Sequence, residues 1–133
     1  QFDEGLRGFA ATFDALPDDL PLAEAICEAI VAFNDLEDDA IPQHRRRMQL
    51  LLGNDTLLAH SALRYAAWRR VVAEFVARRV GAQEEDLLPT LAGRVALAIA
   101  LTAYDQWLLD EDAHLPSLIR EAATGLQALE STN

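Results

Sequence analysis

The sequence contains no lysine and has little cysteine. All eleven basic residues are arginine, and Cys27 is the single cysteine among 133 residues. One cysteine cannot form a disulfide within the chain or supply a cysteine-based metal site. We therefore expect a reducing compartment. Stability must then come from the apolar core, which a chain of this length with 51% hydrophobic residues is large enough to bury.

Long apolar runs are also absent. The longest, VALAIAL with Thr102 and Ala103 beside it, is far shorter than the ~20 residues that cross a bilayer. No signal peptide is visible, so we expect a cytoplasmic protein without membrane contact. Because the chain begins with Gln1 rather than Met, we also expect that a segment precedes it.

The charge of −11 is unevenly distributed. Residues 1–43 contain eleven acids and one arginine, residues 44–94 contain nine arginines and five acids, and residues 95–133 contain six acids and one arginine. Such an acidic surface is repelled by DNA phosphates. We therefore expect no DNA binding by this chain alone.

The hydrophobic pattern is helical throughout. Phe2, Leu6, Phe9, Phe13 and Leu16 follow one another at steps of three and four, which is typical of one helical stripe. Proline, glycine and acidic clusters break the pattern at regular intervals. The sequence predicts an all-α bundle of six helices, over residues 2–16, 22–38, 43–53, 56–80, 86–109 and 115–130.

The sequence contains no recognisable catalytic motif. The three histidines are His44, His60 and His114, and metal-ligand spacing occurs only as E-x-x-H at Glu111 and His114. A di-iron bundle needs two such motifs on helices and two further carboxylates. There is no G-x-S-x-G and no glycine-rich phosphate loop. We therefore expect neither an enzyme, nor a bound metal, nor a cofactor.

Three arginines stand in a row in HRRRMQLLLGND, residues 44–55. At ~100° per residue they point in different directions around a helix rather than along one stripe. Met48 and Leu51 share the apolar face, which makes the arginines the solvated rim of that face. Arg46 points away, with Leu50 beside it, so we expect Leu50 to be exposed unless another domain covers it.

The last two predicted helices are too apolar for one core. Helix 86–109 is apolar on both sides, and helix 115–130 has a broad apolar arc, so both need a second surface to pack against. Symmetric dimers are the commonest solution. We expect a homodimer whose interface includes Val95, Ala98, Ile99, Thr102, Gln106, Leu118, Ala122 and Leu126.

Helix 56–80 has two arginines within or beside its apolar arc. Arg64 and Arg69 adjoin the arc that contains Tyr65, Trp68 and Val72. A partly buried arginine needs a partner. That partner is either an internal acid, such as Asp105 or Glu24, or an anionic ligand, and the two alternatives remain open at this point.

The stretch from HRRRMQLLLGNDTL through YAAWRR and VARRVG to ALAIALTAYDQWL resembles the C-terminal ligand-binding and dimerisation domain of TetR-family transcriptional repressors. The similarity covers nearly the whole chain and is greatest to the mycofactocin-regulator-like subgroup with acyl-CoA-type ligand domains. The resemblance implies that residues 1–133 form this one domain, and that an N-terminal helix-turn-helix domain, absent from this chain, makes all contact with DNA. It also implies a four-helix dimer interface built from the last two helices of each subunit. Arg46 and Leu50 would then face the DNA-binding domain.

The resemblance further implies an apolar pocket among the middle helices. Its ligand would be a hydrophobic effector, such as a fatty-acyl group or an acyl-CoA, that controls DNA binding by the parent protein. An arginine, Arg69 or otherwise Arg64, would hold an anionic head group. The alternative is a stand-alone helical dimerisation module without a ligand. The expected pocket residues are Phe33, Met48, Leu51, Tyr65, Trp68, Arg69, Val72, Leu101 and Tyr104.

Overall fold

A computed structural model describes residues 2–131, and within that range every regular element is helical. The all-α fold expected from the sequence is confirmed. Seven α-helices are present rather than six, with one 3-10 turn at Asp38–Ala40. The helices are α1 (Phe2–Ala15), α2 (Leu22–Phe33), α3 (Ile41–Leu52), α4 (Asp55–His60), α5 (Ala62–Val80), α6 (Leu87–Leu109) and α7 (Leu115–Ser131).

The prediction of one helix over 56–80 was wrong because Ser61 interrupts it. The Ser61 hydroxyl donates to the carbonyl of Leu57 at 3.0 Å, a local bond that competes with the regular helical ladder. The chain turns there and separates α4 from α5. Helix α4 begins at Asp55, one residue before the predicted start, and the side chain of its N-cap Asn54 accepts the Leu57 N–H at 3.1 Å.

Helix α2 ends five residues earlier than the predicted 38. The Asn34 side-chain amide donates to the Ile30 carbonyl at 2.8 Å, and the Asn34 backbone N–H reaches the same carbonyl at 3.2 Å. The side chain thus satisfies a carbonyl that the helix end leaves open. This termination fixes the direction of the Asn34 amide, whose oxygen becomes part of the site described below.

Helices α5 and α6 form the largest contact between two helices. Gly93 makes this contact possible, because a Cβ atom at that position would lie 2.7 Å from the backbone oxygen of Arg69. Gly81 ends α5 at φ 70°, the left-handed conformation predicted for a glycine C-cap.

Aromatic side chains fasten α1 onto α5. The Phe9 ring stacks on Trp68 with centroids 4.8 Å apart, and Phe13 stacks on Phe75 at 4.4 Å. Both α1 phenylalanines are almost completely buried. Offset aromatic pairs at such distances add to the stabilisation from apolar burial, so Trp68 has a fixed position at the centre of the bundle.

Helix α6 is long and apolar enough to cross a membrane by length and composition, with a mean hydropathy of 1.5 over its best window. The length of the longest uninterrupted apolar stretch did not predict this, because Gly93, Thr102 and a few polar residues interrupt the stretch without lowering the mean hydropathy much. One third of that window is buried within the chain. The buried side of the helix, including Ala96, Ala100 and Trp107, belongs to the main core, and core helices of globular proteins meet the same two criteria.

Candidate functional site

A cavity of about 920 Å³ lies between α2, α3, α5 and α6. Aromatic and aliphatic side chains make up most of its wall, with a few polar groups among them. It is lined by Asp3, Phe33, Asn34, Leu36, His44, Arg47, Met48, Leu51, Ser61, Arg64, Tyr65, Trp68, Leu97, Ala100, Leu101 and Tyr104.

Helical spacing explains how this wall forms. Lining residues recur at intervals of three or four along each of the two long helices, so each helix presents one stripe to the cavity. The stripe on α5 and the turn before it contains Ser61, Arg64, Tyr65 and Trp68, and that on α6 contains Leu97, Ala100, Leu101 and Tyr104.

The structure brings seven of the nine sequence-predicted pocket residues to this cavity: Phe33, Met48, Leu51, Tyr65, Trp68, Leu101 and Tyr104. The other two lie elsewhere. Val72 is fully buried in the core. Arg69 lines a separate cleft of about 190 Å³ together with Glu84 and Glu85. Of the two arginines considered as anchors, Arg64 lines the cavity and Arg69 does not.

A chain of hydrogen bonds crosses the polar side of the cavity. The Tyr104 hydroxyl donates to Asn34 Oδ1 at 2.5 Å, and His44 Nε2 lies 2.9 Å from the same hydroxyl. A phenol has one proton to give, and it goes to Asn34. His44 Nε2 must therefore hold a proton and donate to Tyr104, which assigns the histidine tautomer.

Burial keeps the His44 and Tyr104 side chains of this hydrogen-bond chain uncharged. Desolvation lowers the pKa of His44, and the nearby Arg47 guanidinium lowers it further. Desolvation raises the pKa of Tyr104, with a smaller contribution from Tyr65. Both shifts favour the neutral forms, so the cavity presents hydrogen-bonding groups rather than charges on this side.

Tyr65 differs from Tyr104 in having an unsatisfied hydroxyl. Within the part of the chain that the structure describes, its side-chain oxygen is buried and has no hydrogen-bond partner. Desolvation raises the pKa of this phenol too. The group is therefore a neutral O–H donor in the cavity wall.

The charged lining residues are Arg47, Arg64 and Asp3. Two guanidinium groups and one carboxylate make the cavity locally basic in a chain of net charge −11. Sequence reasoning did not select Arg47, His44 or Asn34. His44 precedes Met48 by four positions and Leu51 by seven, so helical spacing from two predicted pocket residues contained the signal for it.

The three consecutive arginines have three different environments. Arg45 donates to the carbonyl of Trp107 and, at 3.3 Å each, to the carbonyls of Asp110 and Glu111. Its guanidinium carbon also lies 4.3 Å from the centroid of the Trp107 ring. The interpretation of Arg45 as a solvated rim residue was wrong, because this side chain caps the C-terminus of α6.

The remaining two arginines point in different directions around α3, as predicted. Arg47 lines the cavity. Arg46 is exposed on the opposite side of α3, and Leu50 beside it is 65% exposed, as the helical wheel predicted.

Only four of the eight residues expected at a dimer interface are exposed on α6 and α7. Leu126 is 42% exposed, while Ile99 is only 9% exposed and packs with the core. Other leucines on these two helices are exposed, at positions 87, 88, 91, 109 and 129. Of the other expected residues, Ala98, Thr102 and Gln106 are exposed, and Val95, Leu118 and Ala122 are partly buried.

Comparison with known proteins agrees with this architecture. Residues 20–130 match the family described as the MftR C-terminal domain, one of the TetR C-terminal domain families. A protein of Mycobacterium tuberculosis (strain ATCC 25618 / H37Rv), provisionally described as the mycofactocin biosynthesis transcriptional regulator MftR, is 35% identical over 121 residues. Those residues cover 91% of this chain and 61% of that relative, so the chain spans about three fifths of the relative's length. The chain therefore belongs to the TetR family of transcriptional regulators, as a C-terminal domain of the MftR type.

Proposed function

We propose that this domain senses an effector for a TetR-like repressor, by binding a hydrophobic ligand of the fatty-acyl or acyl-CoA class in the cavity. The observation that carries the proposal is the cavity itself. Its volume of about 920 Å³ falls within the ~300–1,000 Å³ typical of small-molecule sites. Its wall is mostly apolar and aromatic with a few polar groups, which is the usual composition of such sites.

Two basic side chains lie at the cavity wall, where an anionic head group could contact them. Arg47 and Arg64 both line it and both are exposed to solvent. A charge-assisted bond from a guanidinium to a carboxylate or phosphate would orient the ligand. Arg69 is unsuited to this role because it lines the separate cleft with two glutamates.

Binding is tested by titrating acyl-CoAs and free fatty acids of several chain lengths. Trp68 lines the cavity, whereas Trp107 is buried beneath Arg45. In a Trp107→Phe background, the remaining fluorescence reports on Trp68 alone. We expect saturable changes in emission. Failure of every chain length to bind would refute the sensor proposal.

The anchor is tested separately with three single variants. Arg47→Gln and Arg64→Gln should each weaken an anionic ligand by about two- to fivefold, as expected for loss of a solvent-exposed ion pair. Arg46→Gln is the matched control, since this neighbour on α3 is exposed and does not line the cavity. If both cavity variants bind like the control, the anchored-anion idea fails while the apolar site stands.

Control of DNA binding requires the ligand to prefer one of two states of the parent protein. We propose that the DNA-binding domain of the parent packs against the exposed side of α3 near Arg46 and Leu50. The parent should then bind a palindromic operator and be released by the ligand in a gel-shift assay. The present chain alone should not shift DNA, because its net charge of −11 opposes phosphate contact.

Dimerisation would use the outer surfaces of α6 and α7. Leu126→Glu places a charge on that surface and should produce monomers, whereas Leu63→Glu on α5, where the side chain is 84% exposed, should not. Ile99→Glu is a poorer probe because it also disrupts the core. A Leu126→Glu protein that remains dimeric by light scattering would contradict this interface. A dimer that binds none of the ligands would instead support the stand-alone dimerisation module.

A further inference from the structure

The Tyr65 hydroxyl is buried in the cavity wall without a partner among the described residues. Buried polar atoms in folded proteins almost always have a hydrogen-bond partner, since leaving one unsatisfied destabilises the fold. Tyr65 lines the cavity, so a group that enters the cavity and reaches this buried oxygen can supply the missing partner.

The neighbouring polar groups already have hydrogen-bond partners. Tyr104 gives its proton to Asn34 and lies within hydrogen-bond distance of His44, while the Asn34 amide nitrogen donates to the Ile30 carbonyl. Tyr65 takes no part in this chain. A ligand atom is therefore the available acceptor for its O–H group.

The surroundings specify what kind of acceptor fits. Trp68, Leu101 and Ala100 contribute apolar wall to the same cavity. An ionised carboxylate is costly to bury there, whereas the exposed guanidinium groups of Arg47 and Arg64 can receive a charge elsewhere on the cavity wall. A neutral carbonyl oxygen meets both conditions, since it accepts a hydrogen bond and carries no charge.

We propose that Tyr65 is a specificity-determining residue that donates its hydroxyl proton to a neutral carbonyl oxygen of the ligand. This bond offsets part of the cost of burying the carbonyl of an ester, thioester, amide or ketone, so the cavity accepts such molecules better than it would without the Tyr65 hydroxyl. This inference rests on the proposed function, because it assigns a recognition role inside the same cavity.

The test uses 2-nonanone and nonane as probes that differ only in the carbonyl. Each competes with the neutral fluorophore N-phenyl-1-naphthylamine for the cavity, in the wild-type chain and in Tyr65→Phe. We expect the ratio of ketone affinity to nonane affinity to be higher in the wild type than in Tyr65→Phe. The substitution should weaken ketone binding by about three- to tenfold, as expected for one neutral hydrogen bond, and leave nonane unchanged.

Stability of the unliganded chain provides a second readout. Tyr65→Phe removes a hydroxyl without a partner, so its urea midpoint should equal or exceed that of the wild type. Tyr104→Phe, the matched control, removes a hydroxyl with two partners and should lower the midpoint. A lowered midpoint for Tyr65→Phe would mean that bound water already satisfies this group, and would overturn the proposal.

The binding results separate the two levels of inference. Equal binding of both probes in both proteins, or equal weakening of both probes by Tyr65→Phe, would overturn the role of Tyr65 and leave the apolar sensor intact. If neither probe displaces the fluorophore and no acyl compound changes Trp68 emission, the sensor proposal fails together with this one.

Discussion

Arg45→Met should destabilise this domain far more than the same change at the adjacent Arg46. The Arg45 guanidinium contacts three carbonyls at the C-terminal end of α6 and lies over the ring of Trp107. Arg46 is exposed, with no such interaction in the described structure. Methionine is long and apolar, so both variants retain most of the packing of the side-chain stem and differ in the head group that is lost.

The magnitude follows from two overlapping interactions. A cation over an aromatic face contributes about 0.5–2 kcal/mol. A cation at a helix C-terminus contributes about 0.3–1 kcal/mol, rising to ~2 kcal/mol when it is partly buried. Because both use the same charge, they do not add fully, and we expect Arg45→Met to lower the free energy of unfolding by about 2 kcal/mol. For a chain of this size, that corresponds to a decrease in Tm of about 6–10 °C.

Urea denaturation followed by tryptophan emission measures this directly, since Trp107 is the ring beneath Arg45. All variants must be compared at one protein concentration, because dimerisation would make apparent stability depend on concentration. Arg46→Met should stay within about 0.5 kcal/mol of wild type, as exposed substitutions usually do. If Arg45→Met falls within that same range, Arg45 does not cap α6.

Two further predictions concern the helix contact and the pH response. Gly93→Ala should destabilise the domain by about 1–3 kcal/mol despite alanine's better helix propensity, because the new Cβ would lie 2.7 Å from the Arg69 backbone oxygen. The control Gly8→Ala, where a Cβ would have nothing within 4 Å, should stabilise the domain by up to ~1 kcal/mol. Urea midpoints in the reverse order would contradict the close approach of the two helices at Gly93. His44 has a pKa lowered from 6.5 in the folded state, so the unfolded chain binds more protons and the contribution of His44 to stability, complete above pH 6.5, is lost as pH falls through the folded pKa. His44→Gln lacks this component, so the stability of the wild type should fall more than that of the variant as the pH is lowered. If the two pH–stability curves are parallel, the pKa of His44 is not lowered in the folded state.

The sequence was sufficient for the fold class because helical periodicity dominates it. Its errors fell where a side chain redirects the backbone. Ser61 and Asn34 each bond to a carbonyl four residues earlier and end or interrupt a helix, whereas hydrophobic periodicity continues through both positions. Serine and asparagine are common in helices, and their ability to bond locally is visible only when the backbone geometry is known.

The sequence predicted more of the apolar lining of the cavity than of its polar lining. Trp68, Leu101 and Tyr104 were reachable from spacing, because apolar stripes on helices face the interior. Arg69 was placed in the pocket because it adjoins the apolar arc that contains Trp68, yet it lies ~100° around the helix from Trp68 and lines the separate cleft. His44 was passed over because no partner lies near it in sequence; its partner, Tyr104, is sixty positions away.

The same ~100° rotation gives the row of arginines on α3 three separate roles. Arg45 donates to a carbonyl at the end of α6, Arg46 faces outward, and Arg47 lines the cavity beside His44. A ligand that shifts the backbone of α3 at Arg47 would also move Arg45 relative to the α6 carbonyls, whereas one that only reorients the Arg47 side chain would not. Losing that contact costs about 2 kcal/mol by the reasoning above, which lies within the ~1–3 kcal/mol typical of coupling between sites. Under the proposed function, a movement of α3 would link the cavity to α6 and to the exposed surface around Arg46.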